Sequence, residues 1–97
     1  MNGYIFEAEL REWGGKGSWH FITVPMDVSG IIKMSQDRRI GFGSVRVQAE
    51  ISGINWKTSL FPDAKTGCYL LPVKAAVRSK GGLKSGSNYA VALSIID

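Results

Sequence analysis

The stretch Gly67–Leu93 reads GCYLLPVKAAVRSKGGLKSGSNYAVAL, and its order of elements decides the fold. An apolar strand, Cys68 to Val73, reaches Pro72, whose ring has no N–H to give to a ladder. A short basic helix, Val73 to Lys80, follows. Val73, Ala76 and Val77 fall on its inner side, while Lys74, Arg78 and Lys80 face outward, the latter two suiting the negative end of the helix dipole. Gly81-Gly82 stops the helix and Ser85-Gly86 supplies a turn. The last strand, Tyr89 to Ile96, puts Tyr89, Val91, Leu93 and Ile95 on one face and Ala90, Ala92, Ser94 and Ile96 on the other. With both faces apolar or small it is expected to be a central strand. Strand, helix, turn and strand in so few residues describe the closing corner of a small β-barrel.

Upstream of this corner lies the clearest alternation in the chain. Val45, Val47, Ala49 and Ile51 alternate with Ser44, Arg46, Gln48 and Glu50; after Ser52-Gly53 the pattern restarts with Ile54, Trp56, Thr58 and Leu60. Ser52-Gly53 as a two-residue hairpin loop pairs Ile51 with Ile54, Ala49 with Trp56, Val47 with Thr58 and Val45 with Leu60. All four pairs share a face, and a slip of one residue would turn every one of them over. Phe61 to Gly67 carries good turn chemistry.

Further back, Asp27-Val28-Ser29 offers helix-capping side chains, and Val28, Ile31 and Ile32 share a helical face, so one short helix is expected from Val28 to about Gln36. Trp19 to Val24 reads as a strand ended by Pro25, with Trp19 and Phe21 facing the core and His20 of opposite parity. Tyr4, Phe6, Ala8 and Leu10 alternate with Glu7, Glu9 and Arg11, the period of a half-buried strand. Gly14 to Ser18 forms a glycine-rich hairpin connection. The expectation is a mainly β fold: a small closed or nearly closed six-stranded mixed β-barrel with two short helices, one domain over residues 1–97.

Composition fits an ordinary soluble domain. Of 97 residues, 44% are hydrophobic and 21% charged, enough apolar matter for one core without staples. No apolar run approaches a membrane span, and residues 1–20 show no signal-peptide core. The lone Cys68 excludes an intramolecular disulfide and fits a reducing cytoplasm, so a cytoplasmic location is expected. The net charge of +4 permits attraction to nucleic acid without requiring it.

No catalytic, metal or phosphate-binding constellation emerges. His20, the only histidine, would need a nucleophile to activate and a carboxylate to orient it, and Glu12 and Asp27 flank different ends of its strand. Cys68 reads as a small buried hydrophobe. One Cys and one His cannot build a zinc site of the usual kind. Gly14-Gly15-Lys16-Gly17-Ser18 and Gly81-Gly82-Leu83-Lys84-Ser85 lack P-loop spacing, and both precede strands rather than a helix. Trp19 and Trp56 have core parity, which leaves Trp13 as the tryptophan expected in solvent. Lys74, Arg78, Lys80 and Lys84 gather around the second helix, with Arg38 and Arg39 as a separate pair; if the two groups met they would form a phosphate-binding patch.

Trp19-His20-Phe21-Ile22-Thr23-Val24-Pro25, Gly43-Ser44-Val45-Arg46-Val47 with Gly53 and Trp56, Ser59-Leu60-Phe61-Pro62, and Gly67 to Lys74 together carry a family resemblance. Val77-Arg78 and Gly82-Leu83-Lys84-Ser85-Gly86 complete it. In these pieces, which cover nearly the whole chain in order, the sequence resembles the DUF1905 family of small β-barrels of uncharacterised function. That family usually has an acidic residue after the glycine of the last turn, where this chain has Ser87, a departure that loosens the tie to DNA-binding swapped-hairpin barrels. The resemblance implies a fold and no catalytic residues. The function expected is a non-enzymatic barrel without cofactor or metal that binds an unknown ligand or protein partner. The alternative is a nucleic-acid-binding module using Lys74, Arg78, Lys80 and Lys84, with Arg38, Arg39 and Trp13 as further candidates.

Overall fold

In a two-residue hairpin loop, Ser52 (φ 52°) and Gly53 (φ 79°) both hold positive φ, as the central pair of a type I′ turn must. They join β3 (Val45–Ile51) to β4 (Ile54–Pro62). The register is the one read from the alternation, Ile51 opposite Ile54 through to Val45 opposite Leu60, and the inward residues Val47, Ala49 and Leu60 are fully buried. The computed structural model describes residues 3–14, 19–35 and 43–96. Gly15–Ser18, Gln36 and the pair Arg38 and Arg39 lie outside the described residues.

The remaining strands are β1 (Gly3–Trp13), β2 (Trp19–Thr23), β5 (Tyr69–Pro72) and β6 (Asn88–Ile95). With the hairpin they close a barrel in the order β1-β2-β5-β4-β3-β6. Every neighbouring pair is antiparallel, which corrects the mixed sheet expected from sequence. A helix between two strands suggests a parallel crossover. Here α1 (Met26–Ser35) links β2 to β3 and α2 (Ala75–Gly81) links β5 to β6, and neither of those strand pairs is adjacent. The helices cross from one part of the ring to another and leave the ladders antiparallel.

In β2 the two faces are exchanged relative to the expectation. Ile22 is fully buried and His20 is only 8% exposed, whereas Trp19 and Phe21 are half-buried outside. Register forces this: the buried Leu10 lies opposite Ile22 and Glu12 lies opposite His20, so both strands follow the parity of Leu10. On the outside Trp19 stacks on Phe21, with centroids 5.1 Å apart, which shelters part of both rings. Trp56 faces the core, as expected. In β6, Val91 and Leu93 face the core and the strand pairs with both β1 and β3. Its outer Ala90 is exposed, so the small residues on that side face outward rather than a covering layer.

Helix α1 starts two residues earlier than the sequence suggests. Ser29 is its anchor: its N–H donates to Pro25 O (2.8 Å) and its buried hydroxyl donates to Val24 O (2.9 Å) while accepting from Tyr69 N (3.0 Å). Those bonds tie the end of β2, α1 and β5 together. Ile32 then reaches the core, but Ile31, expected on the inner face, is 54% exposed.

Helix α2 starts later than expected, because Lys74 is still extended at its N-cap (φ −69°, ψ 161°). Val73 is therefore buried as part of the barrel rim, and Ala76 is exposed instead of facing inward. Gly82 (φ 63°) ends the helix: its N–H donates to Ser79 O (3.4 Å), and Leu83 N donates to Arg78 O (2.9 Å). This is the paired closure of a Schellman motif, with Leu83 buried beneath it. Beyond it, Gly86 N donates to Leu10 O (2.8 Å) and Leu10 N to Ser87 O (2.9 Å). At Leu10, β1 changes partner, from β6 to β2.

Candidate functional site

Past Leu10 the inward positions of the barrel cease to be apolar. Glu12 and His20 face each other as the last inward pair of β1 and β2. The ladder between β2 and β5 runs on beyond Pro72, because Val73 N donates to His20 O (2.9 Å), and this brings Val73 and Lys74 alongside His20. From α2, the Arg78 side chain turns back over the rim. Its Nε donates to Val73 O (3.2 Å) and its Nη1 lies 3.4 Å from His20 Nε2. Trp19, His20, Pro72, Lys74, Ala75 and Arg78, with Val73, enclose a cleft of about 300 Å³.

The imidazole is pulled two ways. Arginine only donates, so toward Arg78 the Nε2 atom must accept and the proton sits on Nδ1. That Nδ1 is buried with no hydrogen-bond partner, a strain of about 1–3 kcal/mol. Glu12 Oε1 lies 3.8 Å from the same Nε2, so the ring stands between a guanidinium and a carboxylate. Among the described residues the carboxylates that approach a basic side chain are Glu9, beside Arg11, and Glu12, beside the His20 imidazole. Arg78 is paired with neither, so its half-buried cation has no carboxylate counterpart among the described residues.

In a hydrolytic triad a carboxylate holds Nδ1 and leaves Nε2 free for the nucleophile. Here both charged neighbours approach Nε2, and the cleft lining contains no hydroxyl or thiol. Cys68 is buried away from the cleft lining. Among the described residues no three of His, Cys, Asp and Glu gather as a metal-ligand set. What the arrangement offers is charge: a fixed guanidinium, a lysine at the edge and an aromatic wall.

Of the residues singled out from sequence, the structure brings Lys74 and Arg78 to one cleft. Arg78, expected to face outward, is half-buried and folded back; the Val73 carbonyl at the strand–helix junction captures a side chain long enough to reach it. Lys80 and Lys84 are exposed and stand apart from the cleft lining, and Arg38 and Arg39 fall outside the described residues. Trp13 is 69% exposed and meets Trp19 edge-on, centroids 6.1 Å apart. Sequence reasoning missed His20, Glu12 and Trp19 as neighbours in a site. The signal was present: carrying the alternation from Leu10 to Glu12 makes Glu12 inward, and folding back across the glycine-rich turn puts His20 opposite.

No helix among the described residues is long and apolar enough to cross a membrane. Compared with curated proteins, the chain finds no match. The model of a domain of unknown function, DUF1905, matches residues 6–93, a span that includes Glu12, His20, Lys74 and Arg78. Nearly the whole chain is covered by that match, and it belongs to the DUF1905 family.

Proposed function

We propose that this barrel is a non-enzymatic binding domain that takes a small anionic ligand in the cleft between β2, the end of β5 and α2. The observation that carries it is Arg78: a half-buried guanidinium, tethered to Val73 O, facing a cleft and lacking a carboxylate counterpart among the described residues. Holding such a cation in place costs less when an incoming anion supplies charge-assisted hydrogen bonds. Lys74 adds a second positive charge at the edge. The His20 geometry supports binding over catalysis, since no nucleophile lines the cleft for the imidazole to activate.

Calorimetric titration with inorganic phosphate at low salt tests this. Wild type is expected to bind, Arg78→Gln to lose roughly tenfold or more, as for a charged hydrogen bond removed, and Lys80→Gln to match wild type. Equal binding by Arg78→Gln, or no binding of phosphate by wild type, overturns the anion cleft.

A second reading has its own support. Lys74, Lys80 and Lys84 are exposed on and around α2, so a nucleic-acid backbone could lie along that side. Fluorescence polarisation of labelled single- and double-stranded oligonucleotides at low and moderate salt separates the two. Salt-sensitive binding lost in Lys80→Glu/Lys84→Glu, with phosphate binding retained, favours the nucleic-acid face.

A further inference from the structure

Taking the cleft as the anion site proposed above, we infer that its ligand also carries a flat aromatic base, the chemistry of a mononucleotide. Trp19 is a wall of the cleft that Arg78 and Lys74 line, and it is the middle ring of a row. Phe21 stacks on it with planes 26° apart, and Trp13 meets it at 64°. The row occupies the outer face of β1 and β2. In β3 the outer positions Arg46, Gln48 and Glu50 are polar and exposed, and the outer apolar residues Ile5 of β1 and Phe61 of β4 stand without a ring partner among the described residues. What is particular to this place is that two tryptophans and a phenylalanine touch in succession on the water side, beside a guanidinium with no carboxylate partner among the described residues.

The two features together specify a two-part ligand. A nucleobase stacks on an indole face whatever its sequence identity, and arginine pairs with phosphate through its planar fork. The cleft lining carries Arg78 and Lys74 and no carboxylate, so the phosphate belongs on the Arg78–Lys74 side and the base on the Trp19 side. The opening of about 300 Å³ is at the lower end of small-molecule sites, a size for one nucleotide rather than a dinucleotide. Phe21 stacked on Trp19 and Trp13 set edge-on to it restrain the indole's orientation.

The full chain is titrated by calorimetry with AMP, adenosine, ribose 5-phosphate, inorganic phosphate and a short oligothymidylate. AMP is expected to bind roughly tenfold tighter than ribose 5-phosphate, the scale of one base–aromatic stack. Trp19→Leu, which keeps apolar bulk, is expected to erase that difference while retaining phosphate binding. Arg78→Gln lowers AMP and ribose 5-phosphate alike. Circular dichroism melts confirm that each variant is folded, and Trp13→Ala, at an exposed position, provides a second test with a smaller expected loss for AMP alone. Equal affinity for AMP and ribose 5-phosphate overturns the aromatic part and leaves the anion cleft standing. Failure of every phosphate compound removes both. Binding of oligothymidylate through Trp19 without binding of AMP overturns the mononucleotide in favour of a single strand.

Discussion

The β3–β4 hairpin and the mouth of the barrel at β1, β2 and α2 are built from the same antiparallel ladder and do opposite things with it. Along the hairpin, inward residues from Val45 to Ile51 are apolar and buried, and each finds its partner across the strand. Even there one polar atom, Trp56 Nε1, is buried without a partner, but it belongs to a ring otherwise embedded in apolar neighbours. At the mouth the inward pair is a carboxylate and an imidazole, joined by a guanidinium from a helix. Of the three only His20 is buried, and its burial adds little stability because it leaves one ring nitrogen without a partner. One region makes the barrel stable; the other is positioned by it. That division of labour is what separate substitutions can break.

The largest effect is expected at Leu60, fully buried at the base of the hairpin. Leu60→Ala should lose about 2–5 kcal/mol through lost transfer energy and a cavity, read from urea unfolding as a lower midpoint with unchanged slope. A loss well under about 1 kcal/mol would show a collapsible site and undo the contrast. Next is Gly53, at φ 79° with open space around a would-be Cβ. Gly53→Ala should cost about 1–2 kcal/mol, from backbone conformation alone, seen as a lower melting temperature. An unchanged melting temperature would mean that the turn can change type without disturbing the register. Smallest, and of either sign, is His20→Leu: within about 1 kcal/mol of wild type, because it removes an unpaired buried nitrogen together with its partner contact. The same variant should weaken phosphate binding. A large loss of stability from His20→Leu would move the mouth into the structural half of the comparison.

The hairpin could be read from sequence because its two faces are chemically distinct, β-branched and aromatic inside, charged and amide outside. Residues 19 to 24 offer no such contrast. Trp19 and Phe21 are as apolar as Ile22 and Val24, so parity within the strand is ambiguous, and only the opposing Leu10 resolves it. The antiparallel ring was illegible for another reason, since a helix between strands does not say whether those strands become neighbours. Ser29 looked like a capping residue and proved to be a buried clasp between α1 and β5, a contact between residues distant in sequence. Arg78 was assigned by helical periodicity to solvent; periodicity places a Cα, while a long side chain can return to any acceptor within its reach. Membership of the barrel family was legible because its pieces run through almost the whole chain.

The ring is sealed between β1 and β6, with Phe6 opposite Val91 and Glu7 opposite Ala90, and this bears on how the protein is made. A nascent chain that has released five strands still holds two open edges, on β1 and on β3, each awaiting the same sixth strand. Unpaired edges invite pairing with other chains, and distant pairings form slowly. Translation therefore carries the molecule through a period when it is most adhesive, and emergence of Asn88–Ile95 ends it at a stroke by closing both edges together.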